Sequence, residues 1–145
     1  MEHISADELH NRIANLSSED LILDVRSPSE FNEGHIEGAQ NTPHEEVTGE
    51  ADSLKSHKTV YVHCKMGGRA KMAAEALQGA GLENIVCVSD GGMQRWIDMD
   101  WPVVKYFSLY IHIFSLIRIH KIKNRGRHRP KPFLPRSILN RLYSD

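Results

Sequence analysis

The six residues CKMGGR, from Cys64 to Arg69, end a strand-like stretch, TVYVH, and open a helix-like one, AKMAAEALQGAG. No other part of the chain constrains its fold as strongly. A strand that passes into a helix through a glycine-containing turn is the repeating unit of layered α/β proteins, whose ligands gather beyond the carboxyl ends of the strands. Gly67 and Gly68 let the backbone curl so that successive N–H groups point inward, and the following helix adds the positive end of its dipole. Cys64 stands in that cradle as a nucleophile. Cysteine reacts as the thiolate, the form that a helix N-terminus and nearby cations favour, and Lys65 and Arg69 supply the cations. A small buried cysteine before an ordinary turn is the plainer reading. Strand, cysteine, glycine pair, arginine and helix occurring together favour the functional one.

The rest of the pattern extends the same architecture. Ser5 and Glu8 form a capping-box pattern, and Leu9, Ile13 and Leu16 recur at helical spacing, which predicts a helix over 5–16. LILDV at 21–25 is a short apolar run suited to a buried strand, and SPSEF after it starts a helix with Pro28 in the first turn. NEGHIEGAQNTP reads as loop, followed by a polar helix over about 44–54. A second strand covers 59–64. The helix after the loop carries Met72, Ala73, Ala76 and Leu77 as its apolar residues and ends at Gly79 and Gly81. IVCVS at 85–89 is a third strand, and SDGGMQRWIDM turns into a last short helix. Strands alternating with helices predict an α/β fold with a mostly parallel central sheet flanked by helices.

Charge divides the chain where this pattern stops. Residues 1–104 hold 8 basic and 18 acidic residues, whereas residues 105–145 hold 10 basic and 1 acidic. We therefore expect a domain over 1–104 and a basic C-terminal extension over 105–145, the latter solvated and flexible. The extension opens with YFSLYIHIFSLI, too short for a membrane span of about 20 residues but suited to packing or to a membrane surface. Its basic part could contact lipid, nucleic acid or a partner, although no aromatic stacking pattern accompanies the charge. The first residues lack the charged and apolar regions of a secretory signal, so a cytoplasmic location is expected. Cys64 and Cys87 match neither a redox CxxC pair nor a zinc pattern, and the nine histidines form no HxxxH pair. Neither metal nor cofactor is expected.

Three segments, DVRSPSEFNEGHIEGAQN at 24–41, VYVHCKMGGRA at 60–70 and GGMQRWIDMDWPV at 91–103, together resemble a single-domain rhodanese, in that family's order and over nearly all of residues 5–104. The resemblance implies a parallel sheet flanked by helices, a catalytic cysteine at Cys64, substrate-binding loop positions at Lys65, Met66, Gly67 and Gly68, and the loop arginine at Arg69. It further implies a thiosulfate sulfurtransferase that passes sulfane sulfur through a Cys64 persulfide. The donor would be a small anion such as thiosulfate, and the acceptor cyanide, a small thiol or a protein cysteine. Attack on thiosulfate expels sulfite, a stable anion that needs no general acid, which suits a loop with one nucleophile and no obvious acid/base partner.

Other residues are expected to support the loop. Asp24 and Arg26 stand two apart in a strand and share a face, which favours pairing. His35 in GHIEGA is expected to fix its loop, His63 to point to the face opposite Cys64, and Cys87 to be a core thiol. Arg69 either faces the substrate or pairs with a carboxylate. Lys65 is expected to draw an anionic donor. Cysteine phosphatases and arsenate reductases resemble this chain in their amide cradle but place five residues between cysteine and arginine, against the four here, KMGG. A persulfide relay and a regulatory binding module with a protein partner are the remaining alternatives.

Overall fold

The computed structural model describes residues 1–105. Beyond Lys105 the basic extension, with every expectation stated for it, lies outside the described residues. Five strands form one parallel sheet: β1 (Glu2–Ser5), β2 (Asp20–Asp24), β3 (Gln40–Asn41), β4 (Thr59–His63) and β5 (Ile85–Asp90), in the order β1-β5-β4-β2-β3. The helices are α1 (Ala6–Ile13), α2 (Pro28–Glu33), α3 (Ala51–Leu54), α4 (Gly68–Gly79) and α5 (Gly92–Asp98), with a 3-10 turn at Val47–Glu50. The α/β class and the parallel sheet agree with the sequence pattern.

β4 shows how that pattern builds two layers. Its alternating side chains send Val60 and Val62 to one face and Tyr61 to the other. The first face packs Leu23, Val25, Val62 and Cys87 against Leu54 and against Ala73, Ala74 and Leu77 of α4. The second packs Ile4, Ile22, Tyr61 and Val88 against Leu9 of α1 and Met93 and Trp96 of α5. Being apolar on both faces is what a parallel sheet requires, and it explains why the strands read as continuous apolar runs. The domain closes where His35 and Val104 exchange backbone hydrogen bonds, and the Trp96 indole donates to the Pro102 carbonyl at 2.9 Å.

Several local readings change. β1 lies where no strand was expected, and α1 is shorter than 5–16, with Ser5 as its cap. Ser5 Oγ accepts from the Glu8 amide, but the Glu8 carboxylate turns to Arg12 at 2.8 Å instead of closing a capping box. The polar helix over 44–54 is a 3-10 turn and one helical turn, anchored by Val47, Ala51 and Leu54. On α4 the buried residues are Ala70, Ala73, Ala74 and Leu77, whereas Met72 and Ala76 are exposed. Alanine sits on either side of a helix at little cost, so an alanine-rich segment leaves the buried face ambiguous by one position. No helix among the described residues is long and apolar enough to cross a membrane.

Sheet order fixes the site. After β2 the chain moves outward to β3, and after β4 it moves the other way to β5, so a crevice opens beyond the carboxyl ends of β2 and β4. Asp24 ends β2, opposite His63 at the end of β4, and Cys64 follows directly.

Candidate active site

The loop from Cys64 to Gly68 is held by its backbone. Cys64 is 1% exposed, and its Sγ accepts a hydrogen bond from the Gly67 amide at 3.1 Å. Lys65, Met66 and Gly68 are exposed, so side chains project outward from a loop whose sulfur lies inside. Gly67 has φ +114°, and a Cβ there would collide with the Ser89 carbonyl. Beneath the loop, the amides of Met93 and Gln94 donate to the carbonyls of Cys64 and Lys65, each at 2.9 Å. Gly92, with φ +41°, allows this approach, because a Cβ there would meet both carbonyls. The first amides of α4 have no acceptor within their own helix, which leaves the loop rich in N–H donors.

Arg69 ends the loop in an ion pair. Its Nη1 donates to Glu30 Oε1 at 2.7 Å and its Nη2 to Oε2 at 3.0 Å, a two-pronged contact that fixes the guanidinium plane. Of the two roles open for Arg69, pairing with a carboxylate is the one present. Glu30 also closes a capping box at the start of α2, where Ser27 Oγ accepts from the Glu30 amide and the carboxylate accepts from the Ser27 amide. The Arg69 guanidinium holds the Glu30 carboxyl down at about 2, against an ordinary 4.5. Glu30 in turn raises Arg69. Glu30 was missed in the sequence. Ser27-x-x-Glu30 was a legible capping box, but its link to Arg69 spans 39 residues and is tertiary.

A buried polar cluster lies on the opposite face of β2 and β4. Arg26 Nε and Nη2 donate to the Asp24 carboxylate at 2.9 and 2.7 Å, and Nη2 also donates to the Gly34 carbonyl at 2.8 Å. Asp24 is fully buried and Arg26 nearly so. Asn41 Nδ2 donates to the carbonyls of Asp24 and Arg26, tying the cluster to β3. His63 Nε2 lies 3.8 Å from Asp24 Oδ2. His35 donates from Nδ1 to the Phe31 carbonyl at 2.7 Å and stacks on the Phe31 ring. Burial pushes both histidines below their ordinary 6.5, and with it the tendency to carry charge at neutral pH.

The structure thus groups the expected residues in two sets. Cys64, Lys65, Met66, Gly67, Gly68 and Arg69 form the loop, and Asp24, Arg26 and His35 belong to the buried polar cluster. Cys87 is a fully buried core thiol, pushed up to about 11 by burial and by the neighbouring Cys64. Among the described residues, no group of three His, Cys, Asp or Glu side chains is arranged to hold a metal ion. Chemically, the site offers a sulfur nucleophile after the strand end, the Gly67 N–H donated to it and a guanidinium already neutralised by its partner.

Comparison with known proteins places this arrangement. YqhL of Bacillus subtilis is 35% identical over 75 residues, covering 52% of this chain and 59% of that protein. The probable adenylyltransferase/sulfurtransferase MoeZ of Mycobacterium tuberculosis is 35% identical over 83 residues, 56% of this chain and 21% of that protein. The chain therefore spans less than two thirds of either relative. Among solved structures, a rhodanese-related protein from Thermoplasma volcanium aligns with TM-score 0.60 and 35% identity, over 72% of this chain and 98% of its own. A rhodanese-like domain protein from Staphylococcus aureus aligns with TM-score 0.58 and 31% identity, over 66% and 91%. The rhodanese-like domain itself matches residues 5–99, and with it the strand, the loop and the helix that frame Cys64. This chain belongs to the rhodanese-like domain family.

Proposed function

We propose that the protein is a sulfurtransferase in which Cys64 carries sulfane sulfur as a persulfide. The observation that carries this reading is the buried Cys64 sulfur, held by the Gly67 amide at the base of a loop whose Lys65 and Met66 are exposed. The sulfurtransferase name of MoeZ supports it. With thiosulfate as donor, the Cys64 thiolate attacks the outer sulfur, the donor S–S bond breaks, and sulfite leaves with the bonding pair. The terminal persulfide sulfur lies among the loop amides Lys65 to Gly68, whose dipoles stabilise its negative charge. Cyanide or a thiolate then attacks that sulfur, and Cys64 leaves again as a thiolate. No proton transfer by the protein is needed, which suits a site whose nearest histidine, His63, faces Asp24 on the other side of the sheet.

Asp24, Arg26 and His35 support the loop as positioning residues. Lys65 adds positive charge at the entrance, while Arg69, held by Glu30, rigidifies the end of the loop. A guanidinium so engaged is poorly placed to clamp a tetrahedral oxyanion, and with the four-residue spacing this argues against a cysteine phosphatase. A persulfide relay or regulatory module that docks a protein partner is the second reading, favoured by Met66, 69% exposed at the rim of the loop. We assign the catalytic domain to residues 1–104 and treat 105–145 as a basic extension of it.

Intact mass spectrometry of the protein and of Cys64→Ser, with and without thiosulfate, tests the reading alongside a thiocyanate assay with cyanide. One added sulfur on the wild type alone, with thiocyanate formed, is the expected result. Absence of loading from thiosulfate removes that donor, and absence of loading from any persulfide donor removes the enzyme reading.

A further inference from the structure

The acceptor left open by the proposed sulfur transfer has a chemical signature on the surface. Of the eight lysines and arginines within residues 1–104, five have a carboxylate partner: Arg12, Arg26, Lys55, Arg69 and Arg95. The three others are Lys58, Lys65 and Lys71. Lys58 precedes β4, at the end of the sheet away from the site. Lys65 and Lys71 are both exposed, one beside Cys64 in the loop and the other in the first turn of α4. In a domain with 18 acidic residues, two of the three cations without an ion-pair partner among the described residues thus stand in the loop or in the helix that follows it.

The loop and the first turns of α4 also expose apolar side chains. Met66 is 69% exposed, the largest value for a large apolar side chain among the described residues, and Met72, one α4 turn beyond Gly68, is 54% exposed. A small anion gains nothing from methionines. Flexible thioethers on a surface suit contact with another protein, because they adapt their shape without needing partners for polar atoms. Cys64 itself is 1% exposed, so a thiol that reaches its sulfur must stand on a narrow, projecting segment.

We propose that Lys65, Met66, Lys71 and Met72 form a docking surface for an acceptor protein that presents its thiol on a projecting segment flanked by acidic residues. The inference rests on the sulfur-transfer reading above and names its acceptor. In the transfer step the partner thiolate attacks the outer sulfur of the Cys64 persulfide. A new S–S bond forms on the partner, the Cys64–S bond to that sulfur breaks, Cys64 departs as a thiolate with the bonding pair, and the outer sulfur carries its own negative charge to the partner. No oxidant or reductant enters. The lysines steer the acidic segment and exclude basic ones, and the methionines cover its apolar stem.

The test uses the full chain loaded with sulfur and three cysteine peptides of equal length, differing only in flanking Asp, Ser or Lys residues. Transfer rates are compared between the wild type and Lys71→Glu/Met72→Ser, two exposed positions outside the loop. The ratio of wild type to variant for each peptide cancels that peptide's own thiol reactivity. We expect the variant to lose about tenfold in rate toward the acidic peptide, a loss that shrinks in high salt, and to gain toward the basic one. Its rate with 2-mercaptoethanol should stay at the wild-type value, which also reports an intact site. Lys71→Gln should give a smaller loss in the same direction. Equal ratios for the three peptides overturn the docking surface while leaving sulfur transfer intact, as does a matching loss with 2-mercaptoethanol. Failure of the wild type to load sulfur overturns the transfer reading, and the docking surface falls with it.

Discussion

The two loops that meet at the carboxyl edge of the sheet are built by different means. The segment after β2 is held by side chains: Asp24 and Arg26 bind each other, Arg26 binds the Gly34 carbonyl, and Ser27 and Glu30 cap α2. The segment after β4 is held by main chain: two α5 amides bind its carbonyls, and glycines at 67 and 92 permit the close approach. The first is sensitive to loss of charge. The second should tolerate side-chain exchange at the exposed Lys65 and Met66 but not an added Cβ at Gly92 beneath them. A loop built in this second way can vary its outward residues, and with them its partners, without losing the shape that holds the sulfur.

The largest effect we expect comes from breaking the side-chain-held segment. Asp24→Ala leaves the Arg26 charge buried without its partner and should cost about 3–5 kcal/mol in urea denaturation. A loss under 1 kcal/mol would show that the buried pair does not hold this segment. Gly92→Ala attacks the main-chain-held loop through the carbonyls of Cys64 and Lys65 and should cost about 1–3 kcal/mol. It should depress sulfur loading at Cys64 by more than its stability loss explains, measured well below the midpoint of unfolding. Normal loading would mean that the contact between α5 and the loop is not what shapes the cradle.

The Glu30–Arg69 bridge joins the two segments, and its effect is smaller and depends on pH. The folded Glu30 carboxyl lies at about 2 and its ordinary value is 4.5, so its contribution is fully present above 4.5 and lost as pH falls toward about 2. Glu30→Gln should cost about 1 kcal/mol at neutral pH and flatten the stability profile in that window. The buried histidines act in a higher window. Because the folded protein resists protonation of His35 and His63 while the unfolded chain takes up protons near 6.5, stability should begin to fall as pH drops below about 6.5. Acid titration of Glu30→Gln should therefore retain the first decline and lose part of the second. Smallest of all, Met66→Ala should change stability by less than about 0.5 kcal/mol, because its side chain projects into solvent.

Sequence made one segment much more legible than the other. The cradle was visible because its determinants are contiguous: strand, Cys64, Gly67, Gly68 and Arg69 follow one another in the chain. Asp24 and Arg26 could be paired from their spacing alone. What supports the cradle from elsewhere was not legible. Gly91 and Gly92 read only as the start of a helix, although the structure puts Gly92 under the Cys64 carbonyl. Glu30 showed its capping pattern but not its distant partner. β1 and β3 are too short and polar to carry a periodic signal, and they exist because neighbouring strands offer them backbone partners.

The strand positions of the two cysteines limit how the molecule survives oxidants. Cys87 is opposite Val62, one strand across and two residues short of Cys64, which puts the two Cα atoms about 8 Å apart, beyond the reach of a disulfide without backbone movement. A Cys64 oxidised to its sulfenic acid therefore finds no resolving thiol among the described residues and depends on an external thiol for repair before irreversible over-oxidation.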